Sequence, residues 1–295
     1  MKKKKLLIIG GSSFFSINFI KELFQDYEIT GSYFSKKTLK INKIKINITN
    51  KKNILNNVKK FRPDIILNAA GLTDVEECER NYKKAFNLNA LGSKYLSEIC
   101  TKFKIKLIHI STDHLFDGKK SFYKELDKTK PVNNYGKTKL LGEKYVKKCK
   151  NSIIIRTNFF GPGHGFSFKF FDKIIKNLKE KKKLYLFDDI FYTPISLVRL
   201  INIINLLIKK KISGIYNISG NERISKYKFG VKLAKIMGFD QKLIIKDYFM
   251  NRTNLVFRPK DMSLNNNKVK KKLKIDLGDI KDNIFDYYSI YKKKR

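Results

Sequence analysis

The chain has 295 residues, of which 42% are hydrophobic and 13% aromatic, and this composition excludes a disordered protein. Its 65 Lys and Arg against 26 Asp and Glu give a formal net charge of +39. Because the lysines are spread over every segment and Arg is sparse, the charge indicates an AT-rich coding bias rather than a nucleic-acid interface. A nucleic-acid binder with salt-sensitive affinity is the weaker alternative.

Short apolar runs alternate with longer helical segments over the first 160 residues. This alternation predicts an α/β protein with a Rossmann-type, doubly wound parallel sheet that is covered by helices on both faces. Ligands then bind at the carboxyl ends of the strands. The predicted strands are 5–9, 28–33, 44–48, 65–68, 106–111 and 153–156, and the predicted helices are 15–24, 51–61, 82–103 and 135–148.

The pattern is less regular after residue 160. It predicts helices at 168–179, 197–208 and 225–237, with strands at 184–187 and 214–218. We therefore expect a Rossmann domain over 1–160 and a small C-terminal α/β lobe mainly over 161–295. Some segments of the second range are expected to return to the sheet.

A short loop connects the first predicted strand to the first predicted helix. A dinucleotide pyrophosphate would meet the helix-terminal N–H groups of this loop, at Gly10, Ser13, Phe14 and Phe15. Of the usual Gly-x-x-Gly-x-x-Gly spacing only Gly10 is kept, and Ser13 and Ser16 occupy the other two glycine positions. A left-handed backbone angle would be harder for Ser than for Gly. The alternative is a simple turn without a ligand.

The end of the second predicted strand discriminates between the two dinucleotides. A carboxylate there would bind the ribose 2′-hydroxyl of NAD. The sequence instead offers Tyr33, Ser35 and Lys36, which could receive a 2′-phosphate. This favours NADP(H) and leaves NAD(H) open.

A hydroxyl, a phenol and an ammonium group form the candidate catalytic set. Thr112 follows a predicted strand, and Tyr135 and Lys139 lie four residues apart, hence on one face of a helix. A nearby Lys⁺ is expected to lower the pKa of Tyr135, which would make it an acid/base for a reacting oxygen. Chance also produces this spacing at Tyr33 and Lys37, without comparable surroundings.

Several motifs together resemble the extended short-chain dehydrogenase/reductases, and among these the dTDP-4-dehydrorhamnose reductase (RmlD-like) family. The resemblance covers nearly the whole chain. The motifs are Asn68-Ala69-Ala70-Gly71-Leu72-Thr73-Asp74, Asn87-Leu88-Asn89-Ala90, Ser111-Thr112-Asp113-His114-Leu115-Phe116-Asp117-Gly118, Pro131 to Glu143, Arg156-Thr157-Asn158-Phe159 and Arg258-Pro259.

The resemblance implies NADPH-dependent reduction of the 4-keto group of a nucleotide-linked 6-deoxy sugar, in the biosynthesis of a surface polysaccharide sugar. It implies that Tyr135 donates the proton, that Lys139 tunes Tyr135 and holds the nicotinamide ribose, and that Thr112 bonds the reacting oxygen. The cofactor residues are then Gly10, Ser13, Phe14, Phe15, Tyr33, Ser35, Lys36, Asn47, Ile48, Ala69, Ala70, Gly71, Tyr135 and Lys139, and the substrate residues are Thr112, Asp113, Phe159 and Arg258.

Three departures from the family pattern keep alternatives open. They are the two lost loop glycines, His114 in place of the usual Tyr and Phe159 in place of a frequent Trp. The last two leave the sugar open, and another nucleotide-sugar reductase or epimerase is a rival function. The loss of two glycines from the loop after the first predicted strand favours a second rival function, that of a non-catalytic NADP-binding regulatory subunit.

The remaining signals concern metal, membrane and compartment. Cys78, Cys100 and Cys149 have no metal-ligand spacing, so we expect no metal and reduced thiols in a cytoplasmic protein. The longest apolar stretch, 197–208, contains polar residues at helical spacing and is too short to cross a bilayer. A homodimer is the assembly to be tested.

Overall fold

The computed structural model describes residues 2–34, 42–163 and 170–292. The chain divides into two compact units. The first contains residues 1–115, 131–156 and 209–216, and the second contains residues 116–130, 157–208 and 217–295.

Both units are built from strands and α-helices. The strands are β1 (Lys4–Ile9), β2 (Tyr27–Tyr33), β3 (Asn42–Lys45), β4 (Ile65–Asn68), β5 (Lys106–Ile110), β6 (Ser152–Arg156), β7 (Phe159–Phe160), β8 (Leu184–Phe187), β9 (Phe191–Tyr192), β10 (Ile195–Ser196), β11 (Gly214–Asn217), β12 (Ile224–Ser225) and β13 (Ile244–Asp247). The α-helices are α1 (Phe14–Leu23), α2 (Lys51–Phe61), α3 (Val75–Arg80), α4 (Tyr82–Ala85), α5 (Gly92–Phe103), α6 (Asn134–Val146), α7 (Phe170–Lys179), α8 (Leu197–Lys209), α9 (Lys226–Met237), α10 (Asn267–Leu273) and α11 (Ile280–Lys292).

A seven-stranded sheet in the order β11-β6-β5-β4-β1-β2-β3 forms the first unit. Neighbouring strands from β1 to β6 pair in parallel. The side chains of Leu6 and Leu7 point to opposite faces of the sheet and both are fully buried, as expected where helices cover both faces. The predicted fold class, an α/β Rossmann-type sheet, is confirmed.

The strand order reverses beside β1, which is the feature that positions a ligand site. The chain runs outward from β1 to β2 and β3 and then returns to place β4 on the other side of β1. The loops after β1 and β4 therefore leave the sheet at a topological switch point, where open α/β sheets bind ligands.

The helices of the first unit begin at side-chain caps that the sequence provides. Ser13, Asn50 and Asn133 each accept a backbone N–H three residues later, at the start of α1, α2 and α6. The helix predicted at 82–103 is interrupted: α4 is followed by six π-helical residues, Phe86–Leu91, before α5 begins. Such bulges are frequent at functional sites.

The second unit is also α/β and has its own core. Its strands form pairs: β7 with β10 and β8 with β13 in parallel, and β9 with β12 antiparallel. Within one of its clusters of buried side chains, the Phe160 ring packs against the rings of Phe171 and Phe229. The predicted strand 184–187 coincides with β8, and the predicted helices 197–208 and 225–237 correspond to α8 and α9.

Candidate active site

The amino end of α6 carries the candidate catalytic residues. Asn133 caps this helix by accepting the N–H of Gly136 at 2.9 Å. A Cβ on Gly136 would clash with the backbone oxygen of His114, so only Gly lets the helix approach the loop after β5 this closely. This packing brings Tyr135 to the segment that contains Thr112.

Tyr135 is buried against Thr112 and His114. It is 8% exposed, forms a hydrogen bond with the Thr112 side chain, and its ring meets the His114 ring edge-on at 5.3 Å between centroids. Burial raises the pKa of Tyr135 and the charge of Asp113 adds to this effect, while the hydrogen bond with Thr112 opposes it. The expectation of a lowered Tyr135 pKa is therefore wrong, because loss of hydration is the largest effect on this phenol.

Thr112 and Asp113 form a buried polar pair at the end of β5. Thr112 Oγ1 donates to Asp113 Oδ1 at 3.1 Å and accepts the N–H of His114 at 3.2 Å. Thr112 is 4% exposed and Asp113 is 1% exposed. The hydroxyl is therefore held in place beside the Tyr135 phenol.

Lys139 lies one helical turn after Tyr135 and reaches the same strand end. Its Nζ donates to the backbone oxygen of Ile110 at 2.7 Å. Burial lowers the pKa of Lys139 to about 8, and the charge of Glu143 acts in the opposite direction. The structure thus brings Thr112, Tyr135 and Lys139 together at the carboxyl end of β5, as the sequence predicts.

Asn89, in the π-helical segment, connects this set to the loop after β4. Its side chain accepts the N–H of Leu72 at 2.8 Å and donates to the Leu72 oxygen at 3.0 Å. It also donates to Thr138 Oγ1 of α6 at 3.1 Å. The sequence singled out the motif that contains Asn89, but the hydrogen bonds of the Asn89 amide to Leu72 and Thr138 depend on the π-helical geometry.

The backbone of the loop after β1 does not require glycine at the two positions where the family glycines are lost. Gly10 has a φ of +81°, and a Cβ there would lie 2.8 Å from Ala70 Cα, so a side chain is excluded at this position. Ser13 has a φ of −72° and Ser16 lies within α1, so neither serine needs a left-handed backbone. The Ser13 side chain instead caps the helix, and this removes the conformational objection to the loop.

A cavity of about 710 Å³ lies in the first unit beside this loop. Five predicted cofactor residues line it: Gly10, Tyr33, Asn47, Ile48 and Ala70. Four further polar residues on its wall were not assigned to the cofactor from the sequence, although Asn87 begins one of the motifs: Asn81, Lys83, Lys84 and Asn87. Of the described residues that line the cavity, none is acidic and two are lysines.

The other predicted cofactor residues have different positions. Phe14 and Phe15 have buried side chains, so only their backbone can face a ligand. Ser13, Ala69 and Gly71 are not on the cavity wall as described. Ser35 and Lys36, from which NADP(H) was predicted, lie outside the described residues.

Two predicted substrate residues belong to the second unit. Phe159 is the first residue of β7, and the Arg258 guanidinium lies 5.9 Å from the centroid of the Phe249 ring. Their contact with a sugar or a diphosphate stays a prediction.

The structure adds two findings on metal and membrane. Across the described ranges, no group of three or more His, Cys, Asp or Glu side chains is arranged to hold a metal ion. None of the helices in these ranges combines the length and the apolar character needed to cross a bilayer.

Fold and site together define an extended short-chain dehydrogenase/reductase, an NAD(P)-dependent oxidoreductase. More narrowly, the chain belongs to the RmlD substrate binding domain family, whose sequence profile matches residues 4–292. The spore coat polysaccharide biosynthesis protein SpsK of Bacillus subtilis (strain 168) is 29% identical over 81% of this chain and 82% of its own length.

Two solved structures have the same fold. A hypothetical dTDP-4-dehydrorhamnose reductase from Sulfolobus tokodaii is 32% identical, with a TM-score of 0.83 over 93% of this chain and 96% of that chain. The dTDP-4-dehydrorhamnose reductase of Bacillus anthracis str. Ames, in complex with NADP, has a TM-score of 0.87 over 97% and 99% of the two chains. At 24% identity the second likeness shows the fold alone.

Proposed function

We propose that this protein reduces the 4-keto group of a nucleotide-linked 6-deoxy sugar with NADPH, as a dTDP-4-dehydrorhamnose reductase does. The observation that carries the proposal is the meeting of Thr112, Tyr135 and Lys139 at the end of β5. The name of the Sulfolobus tokodaii neighbour supports the sugar class, and that of the Bacillus subtilis relative supports a role in polysaccharide synthesis.

The binding residues of the first unit fit a dinucleotide. Gly10 gives a phosphate group close access to the backbone, and the amino end of α1 presents the backbone N–H groups that make a helix terminus suitable for an anion. Lys83 and Lys84 on the cavity wall favour NADP(H) over NAD(H), and Ser35 and Lys36 favour it by their position in the sequence. NADP bound to the Bacillus anthracis neighbour supports this choice.

The proton in this reaction comes from the Tyr135 phenol. The bound cofactor supplies the hydride for the carbonyl carbon. Because burial raises the pKa of Tyr135, its hydroxyl keeps its proton at neutral pH and can donate it to the carbonyl oxygen as negative charge develops there. Thr112 can stabilise the same oxygen by turning its one hydroxyl proton from Asp113 Oδ1 toward it.

Three further residues are proposed to bind the rest of the substrate. We propose that Phe159 and Asp113 contact the sugar and that Arg258 binds the diphosphate. A guanidinium suits this role because its planar set of donors matches phosphate oxygens. A cytoplasmic location and a homodimer remain predictions.

A substrate panel tests the proposal. Nucleotide-linked 4-keto-6-deoxy sugars are incubated with NADPH or NADH, and cofactor oxidation is compared with the alcohol product. One NADPH consumed per alcohol formed is the expected result. Turnover without net NADPH consumption would assign an epimerase instead, and NADPH binding without turnover of any sugar would favour the regulatory subunit.

The alkaline pH dependence should report Lys139. Its pKa of about 8 means that the ammonium form, which we propose holds the cofactor ribose, is lost as the pH rises through that value. We expect kcat/KM for NADPH to fall above about pH 8. Lys139→Arg keeps a positive charge at all working pH values and should abolish this alkaline fall in kcat/KM, the alkaline limb of the pH profile. A limb near pH 8 that persists in this variant would contradict the assignment.

A further inference from the structure

Two buried polar atoms near the end of β5 have no hydrogen-bond partner in the part of the chain that the structure describes. They are His109 Nε2 and Ser111 Oγ, in residues that are 1% and 6% exposed. Ser111 N–H donates to Ile155 O at 2.7 Å, which continues the pairing of β5 with β6 past Ile110. Side chains alternate along a strand, so His109 and Ser111 point to the same face, with Cα atoms roughly 6.6 Å apart.

The proton position on His109 follows from a neighbouring backbone amide. Ala70 N–H donates to Asn68 Oδ1 at 3.2 Å, and because a backbone N–H can only donate, this contact fixes the orientation of the Asn68 amide. Asn68 Nδ2 therefore faces Ser93 Oγ at 3.3 Å and His109 Nδ1 at 3.1 Å. Since Asn68 donates to Nδ1, a neutral His109 ring carries its proton on Nε2.

The charge state of His109 limits what can bind it. Burial lowers the pKa of His109 well below its usual value, and the positive charge of Lys139 lowers it further, so the ring is neutral. Its Nε2–H is a donor and cannot ligate a metal ion. A single partner for both atoms has to accept from His109, bond the Ser111 hydroxyl and fit where both atoms are closed to solvent. Water meets all three conditions.

We infer that His109 Nε2–H and Ser111 Oγ bind one buried water molecule, which accepts from His109 and donates to Ser111. A continuous hydrogen-bond chain then runs from Ala70, in the loop after β4, through Asn68, His109 and the water to Ser111. Ile110, whose oxygen accepts from Lys139, lies between the two water ligands, and Thr112 follows directly. His109 and Ser111 are thus positioning residues for the strand end that holds Lys139 and Thr112.

A high-resolution crystal structure of the full chain tests the inference directly. It should contain a water oxygen within about 3.2 Å of both His109 Nε2 and Ser111 Oγ. No density at this point, or an Nε2 atom bonded directly to a protein acceptor, would overturn the inference. This result does not depend on which sugar the enzyme reduces.

Ser111→Ala tests the role of the water, with Ser152→Ala as its matched control. Ser152 is a buried serine at the start of the neighbouring strand β6, and its hydroxyl donates to Val146 O at 3.2 Å. Ser111→Ala should lose the water and lower kcat about tenfold, with KM values changed by less than about twofold. Ser152→Ala should keep both the water and kcat.

A spectroscopic signature separates this role from general damage to the fold. In the wild type, the His109 Nε2–H should give a slowly exchanging NMR resonance. The imidazole ring should stay neutral, with its proton on Nε2, as the pH falls. In Ser111→Ala the exchange should accelerate, whereas in Ser152→Ala it should not. Equal exchange in all three proteins, or a retained water and full kcat in Ser111→Ala, would overturn the inference.

Discussion

Replacing Tyr135 by Phe is expected to lower kcat by about 10³-fold while leaving the fold intact. The change removes one hydroxyl and keeps the ring that packs edge-on against His114. Without the hydroxyl, the developing alkoxide loses its proton donor. Steady-state kinetics with NADPH and the sugar selected by the panel measure the loss, and KM should change far less than kcat.

Tyr145 provides a matched control on the same helix. Tyr145→Phe also removes a single phenolic hydroxyl, but this side chain is partly exposed, and Lys94 Nζ lies 5.7 Å from its ring centroid. We expect its kcat to equal that of the wild type. If Tyr135→Phe turns over normally, Tyr135 is not the acid, and if both variants lose activity equally, the loss reflects the helix rather than the proton.

The sequence determines most of the first unit because its signals there are local. Strand candidates agree with β1, β2, β4, β5 and β6 to within one residue, since buried parallel strands read as short apolar runs between turn signals. The catalytic spacing is equally local, because Tyr135 and Lys139 share one helix face. The short motif at 111–113 could be assigned to the site from the sequence because it directly follows the run predicted as β5.

Features that depend on three-dimensional neighbours were not predictable. The π-helical segment is inconspicuous in sequence, because the bonds of Asn89 to Leu72 and Thr138 join residues 17 and 49 positions away. Lys83 and Lys84 gave no signal in a chain so rich in lysine. The raised pKa of Tyr135 was missed because its cause is burial, which a four-residue spacing does not report.

The second unit shows the same limit more strongly. Its two-residue strands β7, β9, β10 and β12 are too short to give a periodic pattern, and they exist because of partners far along the chain. Arg199 and Asp286, which are 87 positions apart, form one of its ion pairs at 2.9 Å. Such pairs become visible only when the tertiary structure is known.

Replacing Glu143 by Gln is expected to destabilise the protein by about 3–5 kcal/mol. Glu143 and Arg156 form an ion pair between α6 and β6, with Arg156 Nη2 at 2.8 Å from Glu143 Oε2 and side chains that are 4% and 5% exposed. Gln leaves the guanidinium buried without a counter-charge, and that residual charge is the main cost. Urea unfolding of the variant and the wild type measures the difference.

Two further variants and one kinetic measurement make this prediction specific. Glu180→Gln removes the acid from a solvent-exposed pair with Lys182 and should not change the unfolding midpoint. The double variant Glu143→Met/Arg156→Met removes both charges and should recover much of the lost stability, because no unpaired ion remains. Since the Glu143 charge raises the pKa of Lys139, Glu143→Gln should also move the alkaline limb below about pH 8. An unchanged limb together with unchanged stability would show that Glu143 neither anchors α6 nor acts on Lys139.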